Sequence, residues 1–270
     1  MIRMFLALAF LMCLQVQAAP VAHAEEITAQ ERYELGLKYM RRGYFTKALE
    51  QLNRVRNYHR DDPVSVLAEL AIADLYFKKG EYEQSRLAYE DFARLHRGHE
   101  QMDYVVYRTG LSIYRRAPKL AGRDQVPTQQ AVNTWTGFRS RFPSSEHVDD
   151  VERMLDKCRE RLASKELYIA KFYRRRSAWK AVRMRSATLL KRYPTSQHVP
   201  EALYLQGQAL HAWGNVGEAT AIRERLAVDY PDSPMLGKLD RTLEGPPGTP
   251  PDETVFVRPY RVSTGLQGVY

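Results

Sequence analysis

The residues best placed to do chemistry in this chain are cations. Twelve basic side chains stand between Arg159 and Arg192, and only Glu160 and Glu166 oppose them. The segment is net +10 in a chain whose formal charge is +9, so the remainder is close to neutral. Like charges at this density repel one another, which costs stability unless a partner takes them up. An acidic protein surface would do so, as would nucleic-acid phosphates or anionic lipid headgroups. Trp179 lies inside the run, and Trp with Arg is the preferred composition of energetically dominant binding spots. Trp179, Arg176, Arg183 and Arg185 are therefore the candidate partner-binding residues. The bland alternative is a solvated charged face. Phe172, Tyr173 and Trp179 among the bases would also suit stacked nucleotides. The export signal described below argues against that, and no nucleic-acid partner is expected.

A second set is aromatic. On helices with the spacing described below, Tyr33, Phe77, Tyr104, Tyr107 and Tyr114 fall on one concave side. Tyrosine offers a large contact area and a hydroxyl, which suits an extended peptide or a chain terminus. The alternative is that these rings only fill gaps between repeats. Catalytic constellations are missing. The chain has no Gly-x-x-x-x-Gly-Lys-Ser/Thr, Gly-x-Ser-x-Gly or His-Glu-x-x-His motif. His96 and His99 lack a nearby Cys to complete a metal set, so they read as turn residues. Asp61-Asp62 and Asp149-Asp150 precede helices, where carboxylates complement the dipole. No enzyme activity, cofactor or metal is expected.

The elements that must position these side chains repeat. Leu35-Gly36-x2-Tyr39, Gly43-Tyr44 and Ala48 are echoed 37 residues on by Tyr76, Gly80-Glu81-Tyr82 and Ser85. Ala131-x3-Trp135-x2-Phe138-x4-Pro143 follows, and Gly207, Ala219 and Pro231 lie twelve residues apart. These offsets are the tetratricopeptide signature of paired helices. Small residues at Gly36, Ala48, Gly207 and Ala219 let two helices approach, and Tyr39 and Tyr76 are expected to wedge between neighbouring pairs. Pro143, Pro194 and Pro231 close second helices, because proline disfavours helix at the residue before it. The expected fold is all-α, a solenoid of five helix pairs over about 28–60, 64–97, 101–143, 147–194 and 198–231. The third pair carries a long internal loop, 117–128. Little of the chain alternates with period two, so no substantial sheet is expected. Stacked pairs of this kind leave a concave binding groove.

The ends read differently. Arg3 is followed by an apolar run at 4–14 and by Ala22-His23-Ala24. That is the pattern of a cleaved signal peptide over 1–24, too short for a spanning helix. Cys13 is the candidate lipid acceptor, although Met12 before it is bulkier than such sites favour. After cleavage Cys158 is the one remaining thiol. The repeat domain is placed at 25–243. Residues 244–270 are rich in Pro and Gly and read as a flexible or partner-ordered tail.

Several blocks resemble the BamD family of outer-membrane assembly lipoproteins. They are Arg161-Leu162-Ala163-x2-Glu166, Ala170-x-Phe172-Tyr173-x2-Arg176-x-Ala178-Trp179-x-Ala181-Val182-x2-Arg185, and Leu190-x2-Tyr193-Pro194-Thr195-Ser196. Arg123-Asp124-Gln125 in the long loop is similar as well. The resemblance spans about 28–231. It implies five tetratricopeptide repeats on the periplasmic side of the outer membrane, peripheral to it, in the machinery that folds β-barrel proteins there. It also implies N-terminal repeats that receive unfolded outer-membrane protein chains and C-terminal repeats that dock on a POTRA domain of a BamA-type subunit. Arg185 matches the family arginine that pairs with an acidic residue there. A periplasmic repeat adaptor for cell-envelope or cell-division proteins is the alternative. Two features depart from the family: the poor lipid-acceptor context of Cys13 and the tail, with Val255-Phe256-Val257 as a candidate strand.

Overall fold

The computed structural model describes residues 27–249. The signal segment, Cys13 and residues 255–257 lie outside the described residues. Within them the chain is all-helical: α1 (Ala29–Arg41), α2 (Phe45–Tyr58), α3 (Pro63–Lys79), α4 (Tyr82–Leu95), α5 (Met102–Arg116), α6 (Val126–Trp135), α7 (Phe138–Arg141), α8 (Val148–Arg174), α9 (Trp179–Arg192), α10 (Val199–Ala212), α11 (Val216–Asp229) and α12 (Pro234–Leu243). The helices form two compact units that divide at Leu75–Tyr76.

The pairing follows from local chemistry at the turns. Between first and second helices, Gly43, Gly80 and Gly214 take φ of +79°, +86° and +74°, which glycine adopts without strain. The corresponding turn of the fourth pair uses Ser177 at φ +52°. Between pairs a second turn recurs five times. The carbonyl of His59, His96, Phe142, Tyr193 or Tyr230 accepts from the N–H three residues on, and that residue's carbonyl accepts from the N–H three further on. The middle residue's side chain also accepts from the N–H two residues on, which lies in the first turn of the helix after Asp62 and Ser233 and just before the helix in the other three turns. Asp62 accepts from Val64 N–H, His99 Nδ1 from Gln101 N–H, Ser145 from His147 N–H, Ser196 from His198 N–H and Ser233 from Met235 N–H, at 2.9–3.2 Å. Each such bond satisfies an N–H that the helix start leaves orphaned. His96 and His99 flank the Phe92 ring at 4.7 and 5.1 Å, so both imidazoles belong to a turn.

Close approach depends on glycine at three places. A Cβ at Gly36 would lie 2.9 Å from Leu52 of α2, and one at Gly110 would lie 2.2 Å from the Trp135 ring. At Gly207 the nearest neighbour is Leu239 of α12, at 2.9 Å, with Ile222 of α11 at 3.4 Å. Gly207 thus admits the helix after its own pair as well as its partner. Tyr39 meets Tyr44 edge-on at 6.3 Å.

Three features differ from the expected pattern. The second helix of the third pair is broken, because Thr136 (ψ 127°) and Gly137 (φ +75°) leave helical space between α6 and α7. A twelfth helix follows the fifth pair. Its Ser233 cap, Pro234 in the first turn and buried Leu239 make it the first half of another repeat. Such a half-repeat covers an apolar face that the last full pair would otherwise expose. Beyond it, Gly245–Thr249 lies back on α10: the His211 ring meets the Gly245 carbonyl at 3.2 Å, and Gly248 N–H donates to the His211 carbonyl at 3.2 Å.

In the second unit, one apolar core joins α8, α9, α10, α11 and α12 through Leu162, Leu189, Leu203, Leu226 and Leu239. Another joins α5, α6, α7 and α8 through Leu111, Trp135, Phe138, Val151 and Leu155.

Candidate partner-binding surfaces

The basic run does not form one face. The 27 residues of α8 turn its cations to different sides. Arg161 donates to the Tyr114 hydroxyl at 2.8 Å and lies over its ring. Lys171 pairs with Glu201 at 2.7 Å, and Arg159 with Asp156 at 2.8 Å. The two acids of the run both serve as internal ties. Glu160 accepts from Ser196 Oγ and from Gln197 N–H, each at 3.0 Å, and so holds the turn that leaves α9. Glu166 is only 12% exposed and accepts from Arg185 Nη1 at 3.1 Å.

The four sequence-predicted residues therefore separate. Arg185 sits on the flank of α9 against α8, 43% exposed and held by Glu166. Trp179 is half-buried, with its ring against the α8–α12 core. Arg176 is exposed and stacks on Phe172 at 3.6 Å. Arg183 lies over the Trp213 ring at 5.2 Å. Arg183 shares an outer stripe of α9 with Lys180, Met184 and Lys191, since residues three, four and seven or eight apart lie on one helix face. Lys180, Met184 and Lys191 are exposed, Met184 at 61%. Among the described residues no acid pairs with Arg175, Lys180 or Lys191. This stripe, with Arg175 and Arg176 at the preceding turn, is the open cationic surface. Its spacing was present in the sequence, but the count of charges alone did not separate it from the flank that carries Arg185.

The aromatic set is also divided. In the second unit Tyr104, Tyr107 and Tyr114 project from α5, all half-buried. Tyr107 stacks on His147 at 4.6 Å and donates to Asp150 at 3.4 Å. Burial, then the Asp150 charge, pushes its phenol above the ordinary value. Tyr104 meets His147 at 5.7 Å, and the Arg108 guanidinium lies over Phe77 at 3.7 Å. These rings form a seam with the first half of α8. Tyr33 belongs to the first unit, where burial and the Asp74 charge raise its phenol.

The first unit holds a groove that the sequence did not signal. Arg32, Glu50, Asn53, Arg54, Asn57, Tyr58 and His59 line an open space of about 800 Å³. Asn53 and Asn57, like Arg54 and Tyr58, are four apart on α2. Tyr58 is 80% exposed. Tyr33, one residue from Arg32 and about 100° round the helix, does not line it. The amides offer donors and acceptors suited to the backbone of an extended chain.

Paired helices with recurrent turns, an open cationic stripe on one outer face and an open groove on the first pair define a helical-repeat protein. The sequence profile of the YfiO outer membrane lipoprotein family matches residues 25–227, and the chain belongs to that family. Similar curated proteins include the outer membrane protein assembly factor BamD of Xylella fastidiosa strain 9a5c, 27% identical over 76% of this chain and 73% of that protein. BamD of Vibrio cholerae is 26% identical over 73% and 84%. BamD of Neisseria meningitidis serogroup A is 29% identical over 63% and 67%. Among solved structures, the TPR2AB domain of yeast Sti1 in complex with pHSP90 overlaps 80% of this chain and 83% of that one, at 16% identity and a TM-score of 0.41.

Proposed function

We propose that this protein is a non-enzymatic assembly factor for outer-membrane β-barrel proteins. It works on the periplasmic side of the outer membrane after export by the 1–24 signal, with 25–243 as the binding domain. The cationic stripe of α9, in the fourth pair, docks on an acidic patch of a BamA-type POTRA domain. The groove of the first pair and the tyrosine seam of α5 receive unfolded barrel chains. The observation that carries the reading is the family match over 25–227 together with the unpaired bases Arg175, Lys180 and Lys191. Unpaired cations on a rigid helix steer and orient an acidic partner. The test is depletion in the cell of origin. The reading requires outer-membrane barrel proteins to fall while other envelope proteins hold. Normal barrel levels would favour an adaptor for other envelope proteins.

A further inference from the structure

The loop between α5 and α6 is fixed from within by Gln125, whose side chain is 1% exposed. Its amide nitrogen donates to the Pro118 and Leu120 carbonyls, each at 3.0 Å, and its oxygen accepts from Thr128 Oγ1 at 2.6 Å. Arg123 N–H closes a turn onto the Leu120 carbonyl at 3.0 Å, and Val126 N–H donates to Asp124 at 3.1 Å. A buried amide engaged at both ends holds the surrounding backbone rigidly. Leu120 at this turn is nevertheless 69% exposed, and Val126 at its foot is 53% exposed. The turn rests on α8: a Cβ on Gly122 would lie 2.8 Å from the Tyr168 ring, itself exposed. Lys119 and Arg123 flank Leu120 and are exposed, and Lys165 stands three residues before Tyr168 on the same face of α8. Among the described residues no acid pairs with Lys119, Arg123 or Lys165. Exposed apolar side chains held out by a rigid frame mark a surface that meets something. The chemistry here is that of a bilayer surface. Lys and Arg stems lie along apolar surface with their charges outward, a leucine enters the boundary between headgroups and acyl chains, and a tyrosine sits at headgroup level. An acidic protein would take the cations but would need a pocket shaped for the protruding Leu120. A bilayer takes it without one.

We propose that the Lys119–Arg123 turn, with Lys165 and Tyr168 behind it, docks on an anionic lipid surface. Leu120 enters the interface, and Lys119, Arg123 and Lys165 pair with lipid phosphates. Anionic headgroups attract such bases within about a Debye length of the surface. The contact orients the repeat domain against a membrane, and it does not rest on the partner reading above.

The test uses the chain from Glu25 to Tyr270 with vesicles of phosphatidylglycerol or of phosphatidylcholine. Ala121→Cys carries a nitrobenzoxadiazole label, whose emission moves to the blue in an apolar surrounding. Cys158 is fully buried and its thiol is pushed up to about 11, so the label goes to the new cysteine. Sedimentation is expected to show a preference of about tenfold or more for phosphatidylglycerol. That preference is expected to fall in about 1 M salt, where the Debye length is about 3 Å. The label is expected to shift to the blue on phosphatidylglycerol vesicles. Leu120→Ser and Lys119→Glu/Arg123→Glu are each expected to lower binding about tenfold at unchanged melting temperature. No preference for phosphatidylglycerol, an unshifted label, or binding unchanged in both loop variants overturns the proposal. Binding lost in Arg183→Glu/Lys180→Glu but kept in the loop variants overturns it in favour of the α9 stripe. Loop variants that bind vesicles as before but bind POTRA domains more weakly overturn it and give this surface to a protein partner.

Discussion

Ser177 holds a backbone conformation that glycine supplies in the equivalent turns at Gly43, Gly80 and Gly214. A side chain there costs roughly 1 kcal/mol. Ser177→Gly is therefore expected to raise stability by up to about 1 kcal/mol, read as a higher urea midpoint; an unchanged or lower midpoint would show that the turn carries no such strain. Cys158 gives a pH prediction. Burial lifts its thiol from an ordinary 9.0 to about 11. Between those values the unfolded chain loses this proton and the folded chain keeps it. Stability from this group is thus whole below pH 9 and falls as pH rises toward 11. Cys158→Ala should flatten that part of the stability–pH curve, and an identical slope in both chains would remove the thiol as its cause. Arg185 shows how far sequence reaches at this scale. Its place in a basic run was legible; its tie to the largely buried Glu166 was not, because the partner lies nineteen residues away on another helix.

At the scale of elements, helices and their ends were the most legible part. Their signals are local: Pro143, Pro194 and Pro231 follow the ends of α7, α9 and α11. The break at Thr136-Gly137 was less so, since one glycine inside an apolar pattern reads as tolerated helix. The extra helix α12 is short and lacks the small-residue offsets that marked the pairs. Its role is expected to show on deletion of Leu239: Leu239→Ala opens a cavity beside Gly207 and should cost about 3 kcal/mol. A loss under 1 kcal/mol would mean α12 is not part of the core. Gly110→Ala tests the third pair by the opposite error. Its methyl would intrude on Trp135, and overpacking of this kind costs about 1–3 kcal/mol. Near-ultraviolet circular dichroism or tryptophan fluorescence should shift with the loss of stability, and an unperturbed protein would contradict the packing.

For the whole molecule, charge placement links fold to function. Glu166 neutralises Arg185 on the inner side of the α8–α9 pair, and the outer stripe stays cationic. Reversing one base of the stripe should therefore weaken partner binding without unfolding the chain. Arg185→Glu alone is a poor probe, because it sets two carboxylates together at Glu166 and threatens the pair itself. The swap Glu166→Arg/Arg185→Glu restores the internal contact. The most direct measurement is calorimetry of the chain from Glu25 with the POTRA domains of the BamA-type protein of the same cell. Micromolar or tighter binding is predicted, weakened by about 2 kcal/mol or more in Arg183→Glu/Lys180→Glu at unchanged melting temperature. Absence of binding by the well-folded chain, or binding indifferent to that double variant, would contradict it.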